Sequence, residues 1–361
     1  MKKSFQIAGA YVGIIVGAGF ASGQEILQFF TSFGWMGLAG GIIATFFFAF
    51  LGMQLTQLGS RLETDSHKDV IYHICGRYLG VVVDFIITFF LFGVAVVMMA
   101  GSGSIFEQQF GLPAMVGNIV MAALTILTVC LNVQKLLNII SMITPFLMVL
   151  VLIITGYSLF TMHQSFADLD AIAKSQPQAA SNWLMGGLLY VSYNIAAGAA
   201  MLAVMGGTEK DSKVAGHGGT LGGLGLGLLI LLINIGMFAK MDQLKGVDMP
   251  TLMLANHMHP VLGALMSIAL LGMIYNTAVG MLYAFSVRLV KPASNKFKPA
   301  VVGFGVLSFA ASFVGFIKLV STVYPVMGYL GFTLIAAIIV SWFRSRKNKN
   351  SGIDKNTGIA G

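Results

Sequence analysis

Val16-Gly17-Ala18-Gly19-Phe20-Ala21-Ser22-Gly23-Gln24-Glu25 interrupts the first membrane-length apolar segment of this chain. The stretch places three glycines and then a carboxyl group where a spanning helix needs neither, and each glycine costs about 1 kcal/mol relative to alanine in a helix. Non-helical backbone at membrane depth is tolerated only where it faces protein or a water-filled cavity. The stretch therefore predicts a local unwinding of the first span, whose freed backbone groups line a binding site.

The composition places the whole chain among polytopic membrane proteins. Of its 361 residues 57% are hydrophobic and 9% are charged, and the mean hydropathy is +0.86. The two cysteines provide neither a disulfide framework nor the paired spacing of a metal-thiolate site. The N-terminal apolar run is longer than a signal-peptide core and lacks a small-residue cleavage pattern, so we expect it to remain as a spanning helix.

Ten apolar segments are candidate membrane spans. They cover approximately residues 5–32, 36–60, 79–103, 113–132, 136–160, 183–206, 217–239, 261–290, 299–316 and 319–342. With both termini inside, only four of the 21 lysines and arginines lie outside, namely Lys174, Lys240, Lys245 and Lys318. By the positive-inside rule this asymmetry predicts a multi-pass protein with both termini cytoplasmic, and the bacterial resemblance described below implies a bacterial-type plasma membrane. The net charge of +8 then faces anionic headgroups, so membrane lipid rather than nucleic acid is the expected partner.

The sixth segment carries the second unusual stretch, which runs from Tyr190 to Ala200. It places Ser192, Tyr193 and Asn194 at mid-depth, where polar groups are expensive unless they meet partners. The first and sixth segments hold corresponding positions in a chain of five plus five spans. We therefore predict four parts: a first five-helix repeat (1–160), an outer loop (161–182), a second five-helix repeat (183–342) and a basic, disordered cytoplasmic tail (343–361).

Broken segments at corresponding places in two halves indicate a transporter built of inverted repeats, with its site at the bilayer midplane. Exposed carbonyl groups between Gly13 and Gly17 suit a small cation, since hard cations prefer oxygen ligands. Amide groups of the half-helix that begins after Gly23 suit a carboxylate or another anionic group. A channel would need a continuous polar stripe, and an enzyme would need paired catalytic groups at one depth. The sequence contains neither pattern, so we predict that the protein is not an enzyme.

The first span also resembles a known family. The order Gly13-Ile14-Ile15-Val16-Gly17-Ala18-Gly19-Phe20, followed by the turn Gly34-Trp35-Met36-Gly37, is similar to the first span of sodium-coupled LeuT-fold symporters in the amino acid–polyamine–organocation superfamily. More narrowly, the stretch from Gly17 to Glu25 resembles bacterial YkvI-type membrane proteins. The resemblance covers about residues 5 to 342. It implies an all-α polytopic fold of ten transmembrane helices, a LeuT-like 5+5 inverted repeat with broken helices 1 and 6.

The resemblance also implies site residues. The carbonyl groups of Gly13 and Val16, with oxygens of Asn276 and Thr277 in span eight, would form the central sodium site. Span eight departs from the family pattern, because adjacent small hydroxyls are usual there and Asn276-Thr277 supplies only half of that pattern. The substrate site would use residues from spans one and six: Gly17, Ala18, Gly19, Phe20, Ala21, Ser22, Ser192, Tyr193, Asn194, Ala196, Ala197 and Gly198.

Glu25 is a second departure, since characterised sodium symporters often carry an arginine gate in this half-helix. Three roles remain open for it: a proton carrier, as a partly desolvated carboxyl group can be, a vestibule residue, or one half of an external gate with Lys318. A rise of about 1.5 Å per residue places Lys318 about 10 Å or more outward of Glu25, which argues against the gate.

These features predict a secondary active transporter, an ion-coupled symporter of a small organic solute such as an amino acid or amine, working by alternating access. No resident cofactor is expected, Na⁺ is the expected coupling ion, and H⁺ is the alternative. A membrane solute sensor that keeps the fold without moving solute is a further alternative, because a sequence can indicate a site but not turnover.

Overall fold

A computed structural model describes residues 2–63, 67–131, 143–162 and 164–350. This part of the chain is helical and contains no strand. Its α-helices are α1 (Lys2–Ile15), α2 (Ala18–Ser22), α3 (Gln24–Phe29), α4 (Met36–Leu62), α5 (His67–Phe110), α6 (Ala114–Leu131), α7 (Ile143–Phe160), α8 (Phe166–Lys174), α9 (Trp183–Gly207), α10 (Ser212–Phe238), α11 (Pro250–Met258), α12 (Pro260–Leu289), α13 (Phe297–Ser312) and α14 (Phe316–Asn350).

Six helices of the described ranges are long and apolar enough to cross a membrane: α4, α5 from Gly80 onward, α6, α10, α12, and α14 up to Phe343. Helix α9 passes the same test as a bent pair, while α7 and α13 contain shorter apolar helices. Each of the ten predicted segments overlaps one of these helices or the α1–α3 region. The chain is therefore a helical membrane protein, and the count of ten spans and the 5+5 repeat stay predictions.

The first span is broken where its glycines lie. Helix α1 ends at Ile15, and the amide of Gly17 bonds to the carbonyl of Ile15 at 2.8 Å instead of reaching back one full turn to Gly13. Helix α2 lasts only until Ser22, because Gly23 adopts a left-handed conformation with φ +83° that a residue with a side chain rarely takes. The glycine positions thus divide the first span into three short helices.

The sixth span behaves differently from the expectation. Helix α9 is continuous through Asn194, and the side-chain amide of Asn194 bonds to the carbonyl of Tyr190 one turn earlier, at 2.9 Å. The helix then bends by 53° between Trp183–Ala199 and Met201–Gly207. The interruption expected in the stretch from Tyr190 to Ala200 is therefore not at Asn194, because this polar side chain finds its partner within its own helix. The interruption of this span is a bend at residue 200.

Helix α4 lies between α9 and α10 in close backbone contact with both. A side chain at Gly59 would collide with the carbonyl group of Ala203, and one at Gly223 would collide with the backbone of Ala49. Helices in membranes approach this closely where small residues line their interface. Glycines on α4 and α10 thus allow α4 to pack closely against α9 and α10.

The two faces of the helical bundle carry different contacts. On the N-terminal face, Lys3 forms an ion pair with Glu209 at 2.9 Å and Ser60 donates a hydrogen bond to the carbonyl of Glu209. On the opposite face, called the loop face here, the amide of Trp35 bonds to Asp170 at 3.0 Å. Helix α14 continues to Asn350, which extends into the predicted disordered tail, while residues 351–361 lie outside the described part.

Candidate functional site

Glu25 is a buried acid at the centre of the broken first span. Its side chain lies on α3 with an exposed fraction of 6%. Its Oε2 atom accepts hydrogen bonds from the hydroxyl groups of Tyr193 and, at 3.3 Å, of Tyr190. The structure therefore joins the first span to α9 through a carboxyl group and two phenols.

A third tyrosine completes this cluster from another helix. The hydroxyl of Tyr324 on α14 also interacts with the Glu25 carboxyl group, and its ring stacks on that of Tyr193 with centroids 4.9 Å apart. Phe29 lies against both Tyr190 and Tyr193, at centroid distances of 5.4 and 5.8 Å. We call Glu25, Tyr190, Tyr193 and Tyr324 the carboxyl–tyrosine cluster.

Gly19 makes room for this carboxyl group. A Cβ atom added at Gly19 would collide with the Oε1 and Cδ atoms of Glu25. The glycine that disturbs the first span in the sequence thus lets a carboxyl group from the next short helix fold back over α2. Gly19 and Glu25, which are close in the sequence, therefore belong to one site: the glycine leaves the space that the carboxyl group occupies.

The sixth span meets the first span at the end of α1, one turn before the predicted substrate residues. A side chain at Gly198 would contact Ile14 and Ile15 at the end of α1. Residues 18 to 22 form α2 and are buried. Ser22 is already engaged, because its hydroxyl donates to the carbonyl of Gly19 at 2.8 Å. The contribution of this stretch to a site therefore comes mainly from its backbone around Gly17.

The predicted residues of the sixth span divide into two groups. The side chains of Ser192 and Asn194 bond to the carbonyl groups of Gly328 and Tyr190, so both serve helix packing. Tyr193 faces Glu25. Ala196 and Gly198 are buried, whereas Ala197 is exposed. Among the polar members of the predicted set in α9, the structure brings only Tyr193 to the broken span.

The predicted sodium ligands lie on α1, the break and α12. Because the Gly17 amide bonds to Ile15, the carbonyl of Gly13 is released from the regular helical pattern. Gly13 is exposed, Val16 is buried, and Asn276 and Thr277 are partly buried. Helix α12 packs against α2. Within the described ranges, no group of three or more His, Cys, Asp or Glu side chains is arranged to hold a metal ion.

Lys318 does not meet Glu25. It is exposed at the start of α14, whereas Glu25 is buried. Among the residues that the structure describes, no lysine, arginine or histidine forms an ion pair with Glu25; the pairs present are Lys3–Glu209, Lys174–Asp170 and Arg288–Asp84. The structure therefore holds the acid with phenols rather than with a cation.

The loop between α10 and α12 covers the broken span on the loop face. Thr251 on α11 donates a hydrogen bond to the carbonyl of Ala21 at 2.6 Å, and a side chain at Gly23 would collide with Thr251 and Pro250. Gln108 on α5 holds the same loop through two 3.0 Å bonds to the backbone of Met249. This side of the site is closed by protein.

Two acids on the loop face have shifted pKa values. Burial raises the pKa of Asp248 above its ordinary value, the hydrogen bond from Ser104 opposes the rise, and the neighbouring Glu107 adds to it. At Asp170, burial raises the pKa, but the hydrogen bonds from Lys174 and Trp35 outweigh it and leave the pKa below its usual range. The covering loop therefore contains a buried acid, Asp248, whose charged form is disfavoured by its surroundings.

The N-terminal face carries a cavity beside α1. A cavity of about 340 Å³ separates α1 from the end of α9, and its lining includes Lys3, Gln6, Ala10, Met205 and Glu209. Residues along one side of α1, among them Phe5, Gly9 and Gly13, are exposed. The broken span is thus covered on the loop face, while the helix that leads to it is partly uncovered on the other.

Sequence reasoning identified Glu25 and Tyr193 but did not connect them, and it missed Tyr324. Tyr190 and Tyr193 are three residues apart, so they share one face of α9. That spacing, together with an acid in the other broken segment, was a usable signal. Tyr324 follows the predicted gate residue Lys318 by less than two turns, and nothing in its own neighbourhood marks it.

The fold and the site together define a class, helical membrane proteins built around an interrupted span. In this class a broken first span meets an interrupted sixth span inside the bundle.

Comparison with solved structures supports that class. The chain superimposes on the inward-facing conformation of Mhp1 with a TM-score of 0.60 at 12% identity, covering 91% of this chain and 73% of that one. It superimposes on a variant of the manganese transporter of Eremococcus coleocola with a TM-score of 0.52 at 14% identity, covering 98% and 89%. Both neighbours are LeuT-fold transporters. At these identities the likeness shows the fold alone.

Sequence relatives cover nearly the whole chain. The uncharacterized membrane protein YkvI of Bacillus subtilis (strain 168) is 26% identical over 337 residues, which is 92% of this chain and 94% of the relative. The uncharacterized protein YyaD of the same strain is 27% identical over 332 residues, or 91% and 94%. No family model matches the chain.

Proposed function

We propose that this chain is a secondary active transporter, an ion-coupled symporter of a small organic solute that works by alternating access. One observation carries the proposal: a first span broken at Gly17 and Gly23 meets a bent α9 around a buried carboxyl group, in a membrane protein with the LeuT fold. Irregular backbone inside a membrane protein is expensive unless it serves a site. Both structural neighbours are LeuT-fold transporters, which is consistent with this function.

The proposed solute site lies between the break and α9. We assign to it the backbone from Gly17 to Ser22, the small residues Ala196 and Gly198, and the side chain of Tyr193, which reaches the broken span at Glu25. An amino acid or an amine suits such a site, because freed backbone groups and phenols offer both acceptors and donors. The protein needs no resident cofactor in this proposal, and it acts in a cell membrane with both termini cytoplasmic.

Two coupling ions fit different residues. Na⁺ would use oxygens of Gly13, Val16, Asn276 and Thr277, as the resemblance to sodium symporters implies. H⁺ would use Glu25. Burial of Glu25 among phenols favours H⁺ as the coupling ion. A proton needs only the Glu25 carboxyl group, and the hydroxyl groups of Tyr190 and Tyr193 already hold that group in place.

Uptake into liposomes tests the proposal. Purified protein is reconstituted, and uptake of radiolabelled amino acids and amines is measured with an inward Na⁺ gradient, with an inside-alkaline pH gradient, and with neither. We expect at least one solute to accumulate under one gradient. Gly17→Leu should abolish that uptake by filling the break, whereas Gly303→Leu, on an exposed site with equally open space, should preserve it.

A membrane solute sensor with the same fold would behave differently. It would bind a solute specifically, detected as an increase in Tm, without accumulation under any gradient. Binding without flux would therefore overturn the transport proposal and favour the sensor.

A further inference from the structure

We propose that Glu25 is the proton-binding group of this protein, and that Tyr190, Tyr193 and Tyr324 hold its carboxyl group between the broken first span, α9 and α14. The physiological meaning of this site, a proton that drives solute uptake, rests on the proposed function. The binding of the proton itself rests on the geometry of the carboxyl–tyrosine cluster.

A buried carboxylate without a cation is costly inside a membrane protein. Glu25 is 6% exposed, and the ion pairs of the described residues all lie elsewhere. Such a group either finds a cation or binds a proton. A proton needs no cavity, and the space next to the carboxyl group is already filled by Gly19 and three phenols.

The groups that face Glu25 from the surrounding helices are neutral. Helix α9 contributes Tyr190 and Tyr193, and α14 contributes Tyr324. The charged Lys318 of α14 is exposed. Helix α10 carries its titratable residues, Lys213 and His217, in its first two turns, at the end opposite the Met237 that neighbours Gly23. Helix α2 and the turn that follows α3 contain no titratable residue.

Phenols can serve both states of the acid. A tyrosine hydroxyl donates a hydrogen bond to a charged carboxylate, and it accepts one from a protonated carboxyl group. Hydrogen bonds to a charged acceptor are roughly twice as strong as those between neutral groups. Proton binding therefore weakens the attachment of α3 to Tyr190 and Tyr193. The protonation state of Glu25 thereby controls how firmly the first span is held to α9.

Infrared difference spectroscopy tests proton binding without any solute. Wild-type protein in nanodiscs is titrated with acid, and the carbonyl stretch of a protonated carboxylic acid is followed. We expect a band that is lost in Glu25→Gln and kept in Glu107→Gln, which removes an exposed acid on α5. Glu25→Asp should restore a band, and size-exclusion chromatography of each variant checks its fold. An unchanged spectrum in Glu25→Gln would overturn the proposal.

Substitution of the tyrosines provides a second measurement, the pH midpoint of the band. A purely structural role of these side chains would not change that midpoint. Tyr193→Phe and Tyr324→Phe should displace the pH midpoint of the band, because each removes a hydroxyl that interacts with the carboxyl group. Tyr329→Phe, on an exposed tyrosine of the same helix as Tyr324, should leave the midpoint unchanged. Midpoints that are equal in all three variants would contradict the assigned partners.

Liposome uptake separates this inference from the proposed function. If a solute accumulates under a pH gradient, Glu25→Gln should make its uptake independent of that gradient. If no tested solute accumulates but the band is lost in Glu25→Gln, the proton site is supported and the transport function is contradicted. If uptake follows a Na⁺ gradient and is the same in Glu25→Gln, the coupling role of the site is overturned.

Discussion

The hydroxyl of Thr251 donates a hydrogen bond across 2.6 Å to the carbonyl oxygen of Ala21, which ties the covering loop to the broken first span. Thr251→Val keeps the shape of the side chain and removes the donor. A hydrogen bond of this kind is worth about 1 kcal/mol, or about fivefold in an equilibrium. We expect the closed state of the loop face to become less populated.

Cysteine labelling measures that shift. In a Ser22→Cys background, a membrane-impermeant maleimide applied to the loop face should react several-fold faster when Thr251→Val is present. Thr333→Val is the matched control, because its hydroxyl bonds only within its own helix. Equal labelling rates in the two variants would contradict a role for Thr251 in closure.

Gly19→Ala should destabilise the protein. The added Cβ falls on the Glu25 carboxyl group, which three tyrosines hold in place. Overpacking of this kind costs about 1–3 kcal/mol. Thermal unfolding in detergent should show a lower Tm, whereas Gly9→Ala, on a helical site with open space, should raise the Tm slightly. A Gly19→Ala variant as stable as Gly9→Ala would show that the carboxyl group is not fixed there.

Asp248→Asn should stabilise the protein at neutral pH. Burial raises the pKa of Asp248 in the folded state, so its charged form costs stability at neutral pH and its neutral form at low pH does not. The asparagine keeps an acceptor for Ser104 and carries no charge. We expect a Tm higher by about 2 °C at neutral pH, since 1 kcal/mol moves Tm by about 2–4 °C.

The pH dependence of the Tm difference tests whether the charge of Asp248 causes the stabilisation. The difference between Asp248→Asn and wild type should shrink as the pH falls and the wild-type acid becomes neutral. Ser104→Ala removes the donor to the charged acid, so it should lower the Tm at neutral pH instead. A stabilisation by Asp248→Asn that is constant with pH would exclude charge burial as its cause.

Asp84 and Arg288 should couple α5 to α12. Their side chains form an ion pair at 2.6 Å, and Arg288 also donates to Thr88 at 3.2 Å. The pair is partly exposed, so solvent screening limits its contribution to about 1 kcal/mol or less. A double-mutant cycle of Asp84→Asn and Arg288→Gln, read from Tm at low and high salt, should give a coupling that weakens with salt. Additive effects would show that the pair contributes no stability.

The break in the first span was predictable because its causes are local. Gly17 and Gly23 stand in an apolar run, and backbone conformations such as the φ of +83° at Gly23 are open mainly to glycine. The interruption of α9 falls at the end of the unusual stretch from Tyr190 to Ala200, since Asn194 satisfies its amide within the helix and the bend lies at residue 200. A polar residue at mid-depth thus indicated the correct span but not the correct position.

The partners of Glu25 were only partly predictable because the contacts are distant in sequence. Tyr193 was named as a site residue for its own position in the sixth span, not as a ligand of the acid. Tyr324 lies almost three hundred residues from Glu25, and only the packing of α14 against α3 and α9 brings it near. Local patterns identify which spans are unusual, while the pairing of their side chains depends on the assembled bundle.

The glycine contacts of α4 constrain how the protein can move. Gly59 lies against the Ala203 carbonyl, and Gly206 beyond the bend of α9 lies against the Thr56 carbonyl, so a side chain at either position would collide with the opposite backbone. We therefore expect the segment of α9 beyond the bend, Met201–Gly207, to move together with the end of α4. If that segment turns about residue 200, we expect Ser60 and Lys3 to move with it, because both bond to Glu209 directly after α9.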